Sequence, residues 1–259
     1  MSIKEKRIEQ LIDLLKRKNA VSIHDMGTEL GVSEMTVRRY LETLVEQGIV
    51  TLLHGGAVLN QENYFTSYEN RYLLSTEGSR NREEKKRIGA AAAKLIEPED
   101  IVIIDSGSTT EWLARNLPNE APLRVLCYAL NILIELHRHE NCGITFAGGT
   151  LHRNTLMFES QEGIETIRRF RCKRAFLSAG GIHRDLGITS SNYYEIEAKR
   201  AVMQSSLQKI LLADASKFDQ VSPNHYADLS GFDVVITDTG ISGDYRELLK
   251  EKNIELITV

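Results

Sequence analysis

A small, mainly helical N-terminal module followed by a larger α/β domain with a mostly parallel sheet is the fold class that the sequence predicts. Three observations carry it. Residues 2–45 show a helical apolar period three times over, each behind a capping residue. Residues 49–59 switch to short apolar runs around HGG, and from residue 101 strand-sized apolar runs alternate with helical patterns to the end. A chain of 259 residues, 42% hydrophobic and 26% charged, is long enough for one large and one small domain with buried cores.

Ser2 and Glu5 form a capping box, and Ile8, Leu11, Ile12 and Leu15 then recur as one buried stripe, which predicts helix one. After a break at Asn19 and Ala20, Ser22 with Asp25 signals a second cap, with Ile23, Met26 and Leu30 inward and Gly31 at the C-terminal stop. Ser33 caps a third helix in SEMTVRRYL, whose expected inner face is Val37, Leu41, Leu44 and Val45. Met35, Thr36, Arg39 and Thr43 then project outward, with Arg38 at the flank. Ile49 to Leu53 and Ala57 to Leu59 read as two strands of a hairpin. Three helices with a short second one and then a hairpin describe a winged helix-turn-helix over residues 1–60, a module that sets its third helix in the DNA major groove.

An Arg-Arg pair on a lone amphipathic helix is an ordinary solvated face; the ordered helices, turn and wing are what favour DNA. The formal net charge of −4 supplies no general attraction to phosphates, so affinity must come from local placement of charge. Ser33, Met35, Thr36, Arg38, Arg39 and Thr43, with His54 of the wing, are the candidate DNA-binding residues. A single such module buries a modest interface, so a homodimer or higher homo-oligomer is expected.

Residues 61–80 are polar and aperiodic and read as a linker. The larger α/β domain is expected over 81–259, opening with a helix through Ile88, Ala92 and Leu95 whose charges from Arg82 to Arg87 read as a solvated face, with contact to DNA or a ligand as the alternative. Strands are expected at 101–104, 123–127, 144–147, 174–178, 209–213, 234–237 and 255–259. Helices are expected at 111–117, 132–137, 195–207 and 245–252. A ligand crevice belongs at the carboxyl ends of such strands. Five strand ends there carry glycine or polar residues: DSGSTT after Ile104, Asn131, Gly148-Gly149, Ala179-Gly180-Gly181, and DASKF with Lys217. Backbone N–H groups and hydroxyls in DSGSTT suit a phosphate at a helix start, although the loop lacks the Gly-Lys-Ser of a nucleotide-binding P-loop.

LGVSEMTVRRYL and HGGAV resemble the DNA-binding domain of the DeoR family of bacterial transcriptional regulators. EEKKRIG, IDSGSTT, SAGGI, the helix carrying Glu195 and Lys199, and DASKF resemble its sensor domain, whose fold is similar to ribose-5-phosphate isomerase. Tyr40, where the family commonly has Asp, and Thr51 and Leu52, where basic residues are frequent, depart from the pattern. The resemblance implies a repressor of a sugar catabolic operon that binds double-stranded operator DNA under the control of a phosphorylated sugar. It implies that Ser106, Gly107, Ser108, Thr109 and Thr110 hold the phosphate, that Asp105, Asn131, Gly149, Gly181 and Glu195 line the sugar, and that Lys217 completes the pocket.

A phosphosugar isomerase is the alternative, since the implied fold also serves such enzymes. Isomerisation needs a carboxylate base at the sugar carbon, and SAGGIHRD has Gly180 and Gly181 where the isomerase signature is acidic, with only His183 and Asp185 nearby. A non-enzyme is therefore expected. No apolar run approaches a membrane span and the N-terminus is charged, so no membrane association and a cytoplasmic location are expected. Cys127, Cys142 and Cys172 fit neither a disulfide framework nor a zinc site and read as buried thiols; no metal or cofactor is expected.

Overall fold

The computed structural model describes residues 3–18, 20–46, 49–53, 55–59, 73–118 and 122–259. Contacts divide the chain into two compact units, Met1–Arg71 and Tyr72–Val259. Ser2, Asn19 and His54 lie outside the described residues.

In the first unit, α1 (Ile3–Lys18) buries Leu11, Ile12, Leu14 and Leu15, with Ile8 half-buried beside them. α2 (Ile23–Leu30) starts where the Ser22 hydroxyl accepts from the Asp25 N–H at 3.0 Å and ends at Gly31, whose φ of 62° is the left-handed conformation that favours glycine. α3 (Glu34–Glu46) is capped by Ser33, whose hydroxyl accepts from the Thr36 N–H at 3.3 Å. Val37, Leu41 and Leu44 are fully buried, as their spacing predicts. Val45, expected inward, is 40% exposed, and Tyr40 is only 5% exposed. At about 100° per residue Tyr40 joins the Val37–Leu44 side of the stripe, whereas Val45 falls about 80° from Val37 on the other flank.

The wing has three strands rather than two. β1 (Ala20–Ser22), β2 (Val50–Leu53) and β3 (Gly56–Leu59) form an antiparallel sheet in the order β1-β3-β2, with Val21 opposite Ala57 and Thr51 opposite Val58. Three residues are too few to display a period of two, so β1 reads in the sequence as a plain connection.

The second unit begins earlier than expected. Residues 61–72 lie outside the described residues, but α4 (Leu74–Ser79) is a short helix within the stretch read as linker, held by buried Leu74 and by its N–H on the Asn154 carbonyl at 2.8 Å. α5 (Arg82–Ala93) buries Ile88 and Ala92. Its charge run is not wholly solvated: Lys85, three residues before Ile88 and so on the same stripe, is 1% exposed.

A seven-stranded sheet, parallel at every pairing, forms the centre. Its order is β15-β14-β12-β9-β4-β5-β6, from β4 (Ile101–Ile104), β5 (Leu123–Cys127), β6 (Cys142–Phe146), β9 (Cys172–Ser178), β12 (Ser206–Leu212), β14 (Val234–Thr237) and β15 (Glu255–Thr258). Alternate strand residues enter separate cores. Val102, Ile104, Phe176 and Leu212 meet α5, α6 (Ser108–Arg115) and α7 (Leu130–Leu136) through Ile88, Leu113 and Ile132. Ile103, Ala175, Leu177 and Leu211 meet α8 (Gln161–Arg169), α9 (Glu195–Ser205) and α10 (Gly243–Glu251) through Ile167, Ala201 and Tyr245. Both faces are covered, as apolar parallel strands require.

Several boundaries differ from the sequence reading. α6 starts at Ser108 instead of Glu111, which turns DSGSTT from a loop into a loop plus the first helical turn. α9 passes directly into β12, where a connection was expected. Two antiparallel pieces were not foreseen: the hairpin of β7 (Thr150–His152) and β8 (Met157–Glu159), and the small sheet of β10 (Gly181–His183), β11 (Gly187–Ser190) and β13 (Asn224–Ala227). Among the described residues no helix is long and apolar enough to cross a membrane.

Candidate functional site

Two surfaces carry the candidate residues, one in each unit. On α3, Met35 is 76% exposed, Arg38 and Arg39 are exposed, and Thr36 and Thr43 are half-buried. Met35, Thr36, Arg38 and Arg39 line one shallow depression together with Glu42, which the sequence reading did not single out. The Ser33 hydroxyl is engaged locally, 3.0 Å from the Thr36 hydroxyl besides capping the helix. The Thr43 hydroxyl donates to the Arg39 carbonyl at 3.3 Å. Arginine forks, a threonine methyl and an apolar methionine on one helix face are the groups that read base edges and thymine methyls in a major groove.

The second surface follows from strand order. Beyond β4 the chain adds β5 and β6 on one side; beyond β9 it adds β12, β14 and β15 on the other. The order therefore reverses between β4 and β9, and a crevice opens outside their carboxyl ends. Counted out into open solvent, it takes in about 420 Å³. One wall is Gly107, Ser108 and Thr109 at the start of α6, where the first N–H groups of a helix have no intrahelical partner. Gly107 holds φ 148°, and a Cβ there would meet the Ser178 hydroxyl at 2.9 Å. Its carbonyl accepts from the Thr110 hydroxyl at 3.1 Å and the Asn131 amide at 3.3 Å, while the buried Asn131 Oδ1 has no hydrogen-bond partner.

The facing walls are Ser178 to Gly180, Ser190, Ser191 and Glu195, and Lys85, Lys217 and Glu77 stand together at another side. The Lys217 ammonium pairs with the Glu77 carboxylate at 2.9 Å, and the Lys85 ammonium donates to the Glu77 carbonyl at 2.5 Å. Burial pulls the Lys85 ammonium below its ordinary range, and Asp214 and Glu77 only partly oppose this. Burial alone would raise Glu77, but the hydrogen bond and charge of Lys217, with Lys85 and Arg80, outweigh it and hold the carboxyl low. Glu195 accepts from the Ser190 hydroxyl at 2.7 Å and the Asn192 amide at 2.6 Å, so its charge is already satisfied.

The structure thus brings Gly107, Ser108, Thr109, Glu195 and Lys217 of the expected effector residues to the crevice. Asp105, Ser106, Thr110 and Asn131 lie beneath it as its frame. Asp105 is fully buried and accepts from the Ser178 N–H at 2.8 Å, the Ser178 hydroxyl at 3.0 Å, the Tyr128 hydroxyl and the Lys199 ammonium. Gly149 and Gly181 do not line it. Gly149 turns β6 into β7 against the Glu159 carbonyl, Gly181 begins β10 against Gln220, and Gly180 takes the lining position. Glu77 was missed because a short polar helix gives no periodic signal of burial; Lys85 was hidden in a charge run, where its place three residues before Ile88 is the signal that sets it on the buried stripe.

His183 and Asp185, the pair near SAGGI named for the isomerase alternative, form a turn in which the His183 Nδ1 accepts from the Asp185 N–H at 3.2 Å; neither lines the crevice. Cys127 and Cys172 are buried and pushed up to about 12 by burial, while Cys142 is half-buried. Thiols held protonated in this way are poor nucleophiles and poor metal ligands.

Comparison with known proteins agrees with this geometry. Residues 7–63 match the DeoR-like helix-turn-helix domain and residues 80–239 the DeoR C terminal sensor domain. The chain is 35% identical over 254 residues to the deoxyribose operon repressor of Escherichia coli K12, covering 98% of each. It is 30% identical over 246 residues to the glycerol-3-phosphate regulon repressor of the same strain, covering 95% of each. The structure has a partial likeness, TM-score 0.41 at 14% identity over 53% of this chain and 55% of the other, to ribose 5-phosphate isomerase A of Methanocaldococcus jannaschii. With a helix-turn-helix unit, a sensor unit and full-length relatives named as repressors, the chain belongs to the DeoR family of DNA-binding transcriptional regulators.

Proposed function

We propose that the protein represses a sugar catabolic operon, that α3 reads its operator, and that a phosphorylated sugar bound in the crevice controls the affinity for DNA. The observation that carries the effector reading is the meeting of the α6 N-terminus, at Gly107 to Thr109, with the Lys85 and Lys217 ammonium groups at the point where strand order reverses. Free N–H groups and a helix dipole favour a phosphate, two ammonium groups add charge, and Ser178, Ser190, Ser191 and Glu195 offer partners for hydroxyls. Relatives named for a deoxyribose operon and a glycerol-3-phosphate regulon support a small phosphorylated sugar or polyol. Two copies of the chain set two α3 helices on two half-sites. By linkage, an effector that weakens operator binding itself binds less tightly to the protein–DNA complex.

Thermal unfolding against 2-deoxyribose 5-phosphate, ribose 5-phosphate, glycerol 3-phosphate and the matching unphosphorylated compounds tests this, because a ligand of the folded state raises the midpoint by mass action. A rise with one phosphorylated compound and none with its free form is expected. Equal rises with both would remove the phosphate from the reading.

A further inference from the structure

We propose that Glu77 is an internal occupant of the anion site, and that a phosphorylated ligand drawing Lys85 and Lys217 to itself releases helix α4. The inference rests on the crevice being the phosphate site, and it concerns what that site holds when empty. Lys217 and Lys85, the two cations of the crevice wall, are both engaged by this one residue: the carboxylate takes the first at 2.9 Å and the carbonyl takes the second at 2.5 Å. Arg80 holds the other carboxylate oxygen from outside at 3.0 Å.

α4 depends on these contacts. It has six residues, far fewer than an isolated helix needs in water. At its ends the Thr76 and Glu77 N–H groups donate to the Leu73 carbonyl and the Arg80 N–H to the Glu77 carbonyl. It is anchored at its start by Leu74, along its length by packing on α6, where Gly78 lies beside Ser108, and at its end by Glu77 on the two lysines. A phosphate at the α6 N-terminus offers three oxygens and more charge than one carboxylate, so it competes for the same ammonium groups. Once they turn to the ligand, the C-terminal half of α4 loses its anchor.

The test uses the full chain, isothermal calorimetry with inorganic phosphate and with 2-deoxyribose 5-phosphate, and amide hydrogen exchange. In the wild type, phosphate should accelerate exchange at residues 76, 77 and 80. Glu77→Gln, which keeps the shape and removes the charge, should bind both probes roughly three- to tenfold more tightly, the size expected for losing a partly buried competing ion pair. Its α4 amides should exchange fast before any ligand is added, with no further change on binding. Arg80→Ala, which frees the Glu77 carboxylate from its outer partner, should bind both probes no more tightly than wild type. Weaker binding by Glu77→Gln would make Glu77 a ligand contact and overturn the proposal. Unchanged binding with unchanged exchange would overturn it equally. Absence of heat with wild-type protein for both probes would instead overturn the sugar-phosphate reading on which the proposal stands.

Discussion

Replacing Asp105 by Ala should unfold the sensor unit's centre before it alters any ligand contact. Asp105 is fully buried and receives five hydrogen bonds, two from Ser178 and one each from Ser106, Tyr128 and Lys199. Lys199 is equally buried, and after the substitution it keeps the Ser178 oxygens, at 3.2 and 3.3 Å, Glu195 at 3.7 Å and the Tyr226 ring, whose centroid is 5.3 Å away. Removing one partner of a buried ion pair costs about 3–5 kcal/mol because a charge is left without compensation. The contacts that Lys199 retains place this case near the lower end, about 3 kcal/mol. Urea unfolding followed by the fluorescence of Trp112, the one tryptophan of the chain, reports on this unit because Trp112 lies on α6. The double variant Asp105→Ala with Lys199→Met removes both charges and should recover at least about 1 kcal/mol of the loss. A single variant within about 1 kcal/mol of wild type, or a double variant no more stable than the single, would refute the reasoning.

Arg39→Ala should weaken operator binding by about 1–3 kcal/mol if the side chain reads a base, and calorimetry with 2-deoxyribose 5-phosphate should find effector affinity unchanged. Gly107→Ala, forced to φ 148° with its Cβ 2.9 Å from the Ser178 hydroxyl, should cost about 1–3 kcal/mol of stability, and phosphate binding should fall in the protein that remains folded. The Glu77 carboxyl is held below its ordinary value of 4.5, so the stability it contributes is present above that pH and is lost as pH falls through its lowered value. Wild type should therefore exceed Glu77→Gln in midpoint at pH 7 and converge with it toward pH 3, read by thermal melts; a constant difference across this range would break the assignment.

The helices of the first unit and the strands of the second were legible because each is a local pattern. Val37, Leu41 and Leu44 recur at helical spacing, and Leu123–Cys127 and Val234–Thr237 are apolar runs of strand length; both strands stand where they were expected. Ser22 and Gly31 mark the ends of α2 by their own side chain and backbone. β1, β7 and β10 were hidden, since three residues show no period, and the partner of β1 also lies more than thirty positions along the chain.

The site divides in the same way. Glycines and hydroxyls at strand ends announced a crevice, because such residues satisfy backbone groups where regular structure stops. Which of them face the ligand depended on strand order, which put β4 beside β9 and left Asp105 below while Gly107 to Thr109 and Gly180 came to the surface. Lys85 and Glu77 look like solvated charges in the chain. Only packing of α4 and α5 brings them to Lys217, 140 positions from Glu77 in sequence. Local periodicity determined the elements; long-range contacts, whose partners carry no mark of each other in sequence, decided which charges meet.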